Sequence, residues 1–273
     1  MRSISASALN PHAGRILQPK QIVSLNQLTT KKYATILCYP RYDEDEAMKR
    51  IQELKALDVE ALEFSGEKRA FNVPVLGKGS AGLVVVALSK AGKAALKILR
   101  VDADRKGMQH EADMLIKANK IGVGPRFMNL SNNFLLMQFI EGELLPQWIT
   151  HLKGKNAKKR AAKTLRDLLE QCWRMDQSGL DHGELSHAPK HVIVDAADNA
   201  HIVDFETASV LRRTSNVTAI CQYLFMKSQL ARMLRRKLGK VQDDVLITVL
   251  RTYKHDQSGQ NFEEVLEVLR LAR

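Results

Sequence analysis

The stretch 75–99, VLGKGSAGLVVVALSKAGKAALKIL, restricts the fold more than any other part of the chain. Gly77, Gly79 and Gly82 are spaced G-x-G-x-x-G. In a dinucleotide-binding unit a helix has to follow such glycines. Here the run Leu83-Val-Val-Val-Ala-Leu88 follows, rich in β-branched residues that favour a strand. A turn at Lys90-Ala-Gly92 and a second apolar run, 94–99, complete a glycine-rich hairpin. Its backbone N–H groups can close over phosphates, because no side chains stand in the way. Lys97 lies alone within the second apolar strand. An edge lysine with a snorkelling stem is the bland reading. A phosphate-binding lysine is the stronger one.

A second hairpin is written into 181–209, DHGELSHAPKHVIVDAADNAHIVDFETAS. Two short β-rich runs, 191–194 and 200–203, flank the polar turn 195–199. Glu184 precedes this hairpin and Asp204 follows it. Two carboxylates held close together can hold a metal and orient a hydroxyl.

The remaining segments read as mostly helical. Residues 104–119 carry Met108, Ala112, Leu115 and Ile116 on one side. Glu111 on the same helix could pair with Lys97, or be an ordinary exposed glutamate. The apolar run 134–140 predicts a buried strand, and Glu141-Gly142 breaks it like a hinge whose backbone could read a purine edge. Leu165, Leu168, Leu169, Cys172 and Met175 fit the buried face of a helix ending near Ser178. Further helices are expected over 216–238 and 241–253, and one after Asn261 with a capping-box-like Glu264. Upstream, the runs 33–38, 43–57 and 59–64 read as strand, helix and strand, a small α/β appendage. The division expected is therefore a disordered basic tail over 1–30, the appendage over 31–68, a β-rich lobe over 69–141 and a helical lobe over 142–273, an α+β class.

The 273 residues carry 42 basic and 30 acidic side chains, a formal charge of +12. The alternatives are a merely soluble basic protein or one with an anionic partner: nucleotide, RNA, an acidic protein face or a membrane surface. Basic residues concentrate at 151–163 and at Arg232, Arg235, Arg236, Lys237 and Lys240. Cys38, Cys172 and Cys221 follow no CxxC pattern and read as reduced thiols of a cytoplasmic protein. No apolar run approaches a membrane span, and no secretory signal stands near the start. The N-terminal segment has no acid before Asp43, like an organellar transit peptide, but lacks an amphipathic helix.

Taken in order, the three glycines, Lys97, Glu111, the FIEG break at 139–142, His182-Gly-Glu184 and Asp204-Phe205 resemble a protein-kinase-like fold with a β-rich N-lobe and a helical C-lobe. The HGxL loop and the FIEG hinge resemble the RIO kinases and the small kinase of the KEOPS tRNA-modification complex. From about Tyr39 the chain is most similar to an archaeal family of predicted Ser/Thr protein kinases. The similarity lies in YPR at 39–41, GVGPR at 122–126, NFLLM at 133–137, HGELS…KHVIV at 182–194 and DFETAS at 204–209. The resemblance implies ATP bound with Mg²⁺. Lys97, oriented by Glu111, would contact the α/β-phosphates, Gly77, Gly79 and Gly82 would cover them, and Asp204 would hold the metal. Glu184 stands where that pattern has a catalytic aspartate. Pro189 stands where it has a metal-binding asparagine. His191 could ligate metal in the asparagine's place, and Lys190 could supply charge to the phosphates; both could equally just flank a strand. Glu206 replaces a glycine and could face the metal or stiffen the segment. No A-P-E segment follows. The expected activity is phosphorylation of protein seryl or threonyl groups, the chain's own included. The alternatives are an ATP-binding pseudokinase or ATPase switch on a ribosomal or tRNA-modifying assembly, touching RNA through its basic surface, and a small-molecule kinase of the aminoglycoside or choline type.

Overall fold

The computed structural model describes residues 20–187, 189–226, 229–239 and 241–272. The expectations for residues 1–19 and for Lys240 lie outside these.

The protein is a mixed α+β structure in which every described sheet is antiparallel. The N-terminal half is built on a seven-stranded sheet. It contains β1 (Gln21–Ser24), β2 (Ala61–Phe64), β5 (Gly77–Lys78), β6 (Gly82–Ser89), β7 (Gly92–Leu99), β8 (Phe127–Leu130) and β9 (Phe134–Gln138). The order is β1-β2-β6-β7-β9-β8, with β5 paired to β6. A separate hairpin joins β3 (Lys68–Ala70) and β4 (Val73–Val75).

Side chains alternate across a strand, and this decides which way the site residues face. Leu96 and Ile98 of β7, with Phe134 and Leu136 of β9, pack with α1 (Lys31–Leu37) and α2 (Glu44–Ala56). Leu99 and Leu135 project from the other face, toward Met108 and Ala112 of α3 (Arg105–Lys120). Lys97 shares that second face. Asp104 caps α3 by accepting a bond from the Lys106 N–H at 2.9 Å.

The C-terminal half is helical. It contains α4 (Leu145–His151), α5 (Ala157–Gln177), α6 (Asn216–Phe225), α7 (Gln229–Leu238), α8 (Asp243–His255) and α9 (Gly259–Val268). Against these lies a small sheet of β10 (Gly142–Leu144), β11 (Val192–Asp195) and β12 (Ala200–Ile202). Leu165, Leu168, Leu169, Cys172 and Met175 form the buried face of α5, as the spacing predicts. No helix among the described residues is long and apolar enough to cross a membrane.

Five expectations are corrected. Residues 33–38 belong to a helix, α1, rather than a strand, because one-sided packing of Ala34, Ile36 and Leu37 overrides a weak β preference. The partner of β2 is instead β1, which lies in the stretch expected to be a disordered tail; residues 20–30 are ordered as β1 and a 3₁₀ turn. Strands β1 and β2 therefore extend the main sheet and share its core, so the segment is not a separate appendage. The single helix expected over 216–238 is two, α6 and α7. The last helix starts at Gly259, with Ser258 as its cap accepting the Asn261 N–H, rather than after Asn261.

Arg50 holds α2 in place. It is buried, while Met48 on the same helix is exposed. Its guanidinium donates to Leu37 O, Leu99 O, Asn133 Oδ1 and Glu46 Oε1. Glu53 takes the Asn133 N–H and side-chain amide at 2.7 Å each. Replacing Arg50 by Ala strands these acceptors, and the loss of a buried charged partner costs roughly 3–5 kcal/mol. Urea denaturation of R50A should show a loss of this size with an unchanged m-value.

Candidate active site

The site forms where α3, the glycine turn and the β11–β12 hairpin converge. In the turn, the Gly79 N–H donates to Gly82 O at 2.9 Å. A Cβ at Gly82 would sit 2.4 Å from Ile98 O, so only glycine lets β6 lie this close to β7. Lys97 is buried and donates to Glu111 on α3, which is buried too. It also donates to Glu206 Oε2 at 2.9 Å, and Ser80 at the glycine turn donates to Glu206 Oε1 at 3.1 Å. Burial, which would lower the lysine's pKa, is outweighed by Glu111 and Glu206, so Lys97 is held above its ordinary value and stays charged.

The second cluster is anchored from below. Asp176 of α5 accepts from the Asn216 and Val217 N–H groups, from Asn216 Nδ2 and from Tyr253 Oη. Asn216 Oδ1 then takes the His182 N–H at 2.9 Å. The His182 ring donates to Val203 O at 3.1 Å, and burial pushes its pKa down to about 4, so it is neutral packing. His191 lies at the entrance of β11 and its backbone O accepts from the Val203 N–H. The two ends of the hairpin are thus pinned side by side. Asp204 follows in a left-handed conformation (φ 72°), a strained geometry for a non-glycine residue and one that concentrates at functional sites. Phe205 is buried, and with Leu115 it fills the space over Gly124, where a Cβ would lie 2.8 Å from the ring.

Glu184, His191 and Asp204 come together, with one ligand atom from each within 4.8 Å of the others. His191 Nε2 lies 3.1 Å from Glu184 Oε2 and 3.4 Å from Asp204 Oδ2. It makes no aligned hydrogen bond with either, although both ring nitrogens are buried. Lys190 Nζ stands 3.9 Å from Asp204 Oδ2. Burial would raise the Asp204 pKa, but His191, Lys97 and Lys190 bring it down to about 2.

The residues singled out in the sequence therefore fall into two groups, Lys97 with Glu111 and Asp204 with Glu184, His191 and Lys190. The glycines lie above the first. Glu206, expected to face a metal or stiffen the chain, instead faces Lys97. Ser80 carried no signal beyond its place between two glycines. A groove of about 740 Å³ between α5 and α9, lined by Trp173, Arg174 and Phe262, contains none of these residues. The chain matches no protein-family model. Over 109 residues it is 28% identical to an uncharacterized protein of Methanocaldococcus jannaschii, covering 40% of this chain and 89% of that protein.

The hairpin's own turn is the measurable part of this scaffold. Asp195 accepts from the Ala197 and Asn199 N–H groups, from Asn199 Nδ2 and from His201 Nε2, all at 2.9–3.1 Å. Burial would raise its pKa; these bonds, led by that of His201, bring it down to about 2. The folded value lies below the ordinary carboxylate value, so the stabilisation is complete above about pH 4 and is lost as the pH falls toward 2. D195N should cost about 1 kcal/mol at pH 7, and its stability gap to the wild type should close across that window. A gap that stays constant from pH 5 to pH 2 would contradict the assignment.

Proposed function

We propose that this protein is an ATP- and Mg²⁺-dependent phosphotransferase of two-lobed, protein-kinase-like architecture that phosphorylates seryl or threonyl groups of proteins. The observation that carries this reading is the buried Lys97–Glu111 pair set opposite the Glu184–His191–Asp204 cluster. A structural ion pair is seldom buried for stability. A charged lysine beneath a glycine turn, facing a group of metal-type ligands, is what phosphoryl transfer uses.

The residues present fit a divalent cation. His191 Nε2 is a buried nitrogen with no hydrogen-bond partner, aimed between two carboxylates. Asp204, already ionised, and His191 would hold the ion, with Glu184 beside it. Two carboxylates suit Mg²⁺, and the imidazole extends the set toward Mn²⁺. The ion would neutralise charge on the phosphates. Lys97, fixed by Glu111, would contact the α- and β-phosphates, with Lys190 adding positive charge beside Asp204. Glu184 is partly exposed on the loop before β11, where an acceptor hydroxyl can reach it. Its role would be to orient that hydroxyl and take its proton.

A nucleotide-binding switch without transfer is the second reading. It is favoured by Glu184 lying against His191 and by Pro189, which has no ligating side chain. The formal charge of +12 disfavours a pocket for cationic aminoglycosides. Lys237 donates to Leu152 O at 2.7 Å, which brings the basic end of α7 beside exposed Lys153 and Lys155. This surface would serve an RNA or ribosome contact.

Incubation with labelled ATP and Mg²⁺ should label the protein or a casein-like acceptor on Ser or Thr. E184Q should lose about a hundredfold in transfer rate while still binding nucleotide. K97A and D204A should each abolish nucleotide-dependent thermal stabilisation. Stabilisation unchanged in both variants would refute the site. Binding with neither labelling nor phosphate release would leave only the switch.

A further inference from the structure

Glu206 divides its carboxylate between the two sides of the cleft. Oε2 takes a hydrogen bond from Lys97 at 2.9 Å and Oε1 takes one from Ser80 at 3.1 Å. Its backbone cannot drift, because Phe205 next to it is buried over Gly124. The side chain is partly exposed and reaches up from this anchor. A phosphate oxygen entering beneath the glycine turn would need the same donors: the Lys97 ammonium and the groups of residues 79–82. Glu206 is an anion that already holds one ammonium donor and the turn's only hydroxyl. It also adds its negative charge to that of Asp204 in the surroundings of Glu111.

We infer that Glu206 is an internal stand-in for the nucleotide's phosphate, and that phosphates reach Lys97 only when its side chain has left. The inference rests on the nucleotide reading above and adds a residue that sets nucleotide affinity. Closed, the Glu206 side chain ties the glycine turn to the segment after β12. Displaced, it releases Ser80 and the turn together. Apparent affinity is reduced by the fraction of molecules in which the cradle is closed, and like charges brought together weaken binding further.

The test is titration of the full chain with a fluorescent ATP analogue and Mg²⁺, comparing the wild type, E206Q, E206A, K97A and the double variant E206Q/K97A. Glutamine keeps the shape, with its one amide oxygen able to accept from Lys97 and its amide N–H able to donate to the Ser80 hydroxyl, so E206Q retains the fold; circular dichroism checks this and E206A provides a second reading. E206Q and E206A should bind about tenfold tighter than the wild type, and K97A and the double variant should not bind. A role confined to structure would lower the melting temperature without tightening binding. Equal or weaker binding by both Glu206 variants, with the wild type binding and K97A not, overturns the inference alone. No binding by the wild type or by any variant overturns the nucleotide reading, and this inference with it.

Discussion

The buried ion pair between Lys97 and Glu111 is the interaction on which the remaining geometry depends. Removing an ammonium and a carboxylate from water costs several kcal/mol each, and apolar residues of similar volume are usually as stable. The pair therefore adds little net stability of its own, and the surrounding fold carries it. Strand β7 turns Lys97 away from the core of α1 and α2, and α3 presents Glu111 from the opposite side. Arg50 joins the end of β7 to α1 and α2, so the strand that bears the lysine is braced on its other face.

The helical half solves a different problem. Its task is to hold three ligand-type atoms on short, partly solvated segments. The solution is a chain of buried polar contacts from Asp176 through Asn216 to His182, and from His182 to Val203. Each link satisfies a donor that would otherwise be buried without a partner. The left-handed backbone of Asp204 is affordable because the segments on both sides of it are fixed in this way.

Much of this was legible in the sequence where local pattern and tertiary demand agree. The β-branched run after Gly82, the apolar face of α5 and the polar turn at 195–199 are cases where one periodicity has one solution. The pairing of Glu184 with Asp204 followed from a hairpin too short to separate its ends. Elsewhere the deciding interactions were long-range. Nothing local shows that Gln21–Ser24 pairs with β2, or that 33–38 coils against α2, because packing across the sheet settles both. Nothing local marks Arg50 as buried, since burial of an arginine depends on carbonyls from distant segments. Ser80 and Glu206 are 126 residues apart in sequence, and only the closed geometry joins them.

Helix α3 carries two parts of the site at once. Glu111 meets Lys97, and one turn later Leu115 shares with Phe205 the space over Gly124. Four residues of helix span about 6 Å and behave as a rigid rod. The ion pair on the sheet side and the seat of the Asp204 segment on the helical side are thus mounted on a single shaft. Any shift of that shaft would disengage both together, so the site has one mechanical degree of freedom where its two clusters suggest two.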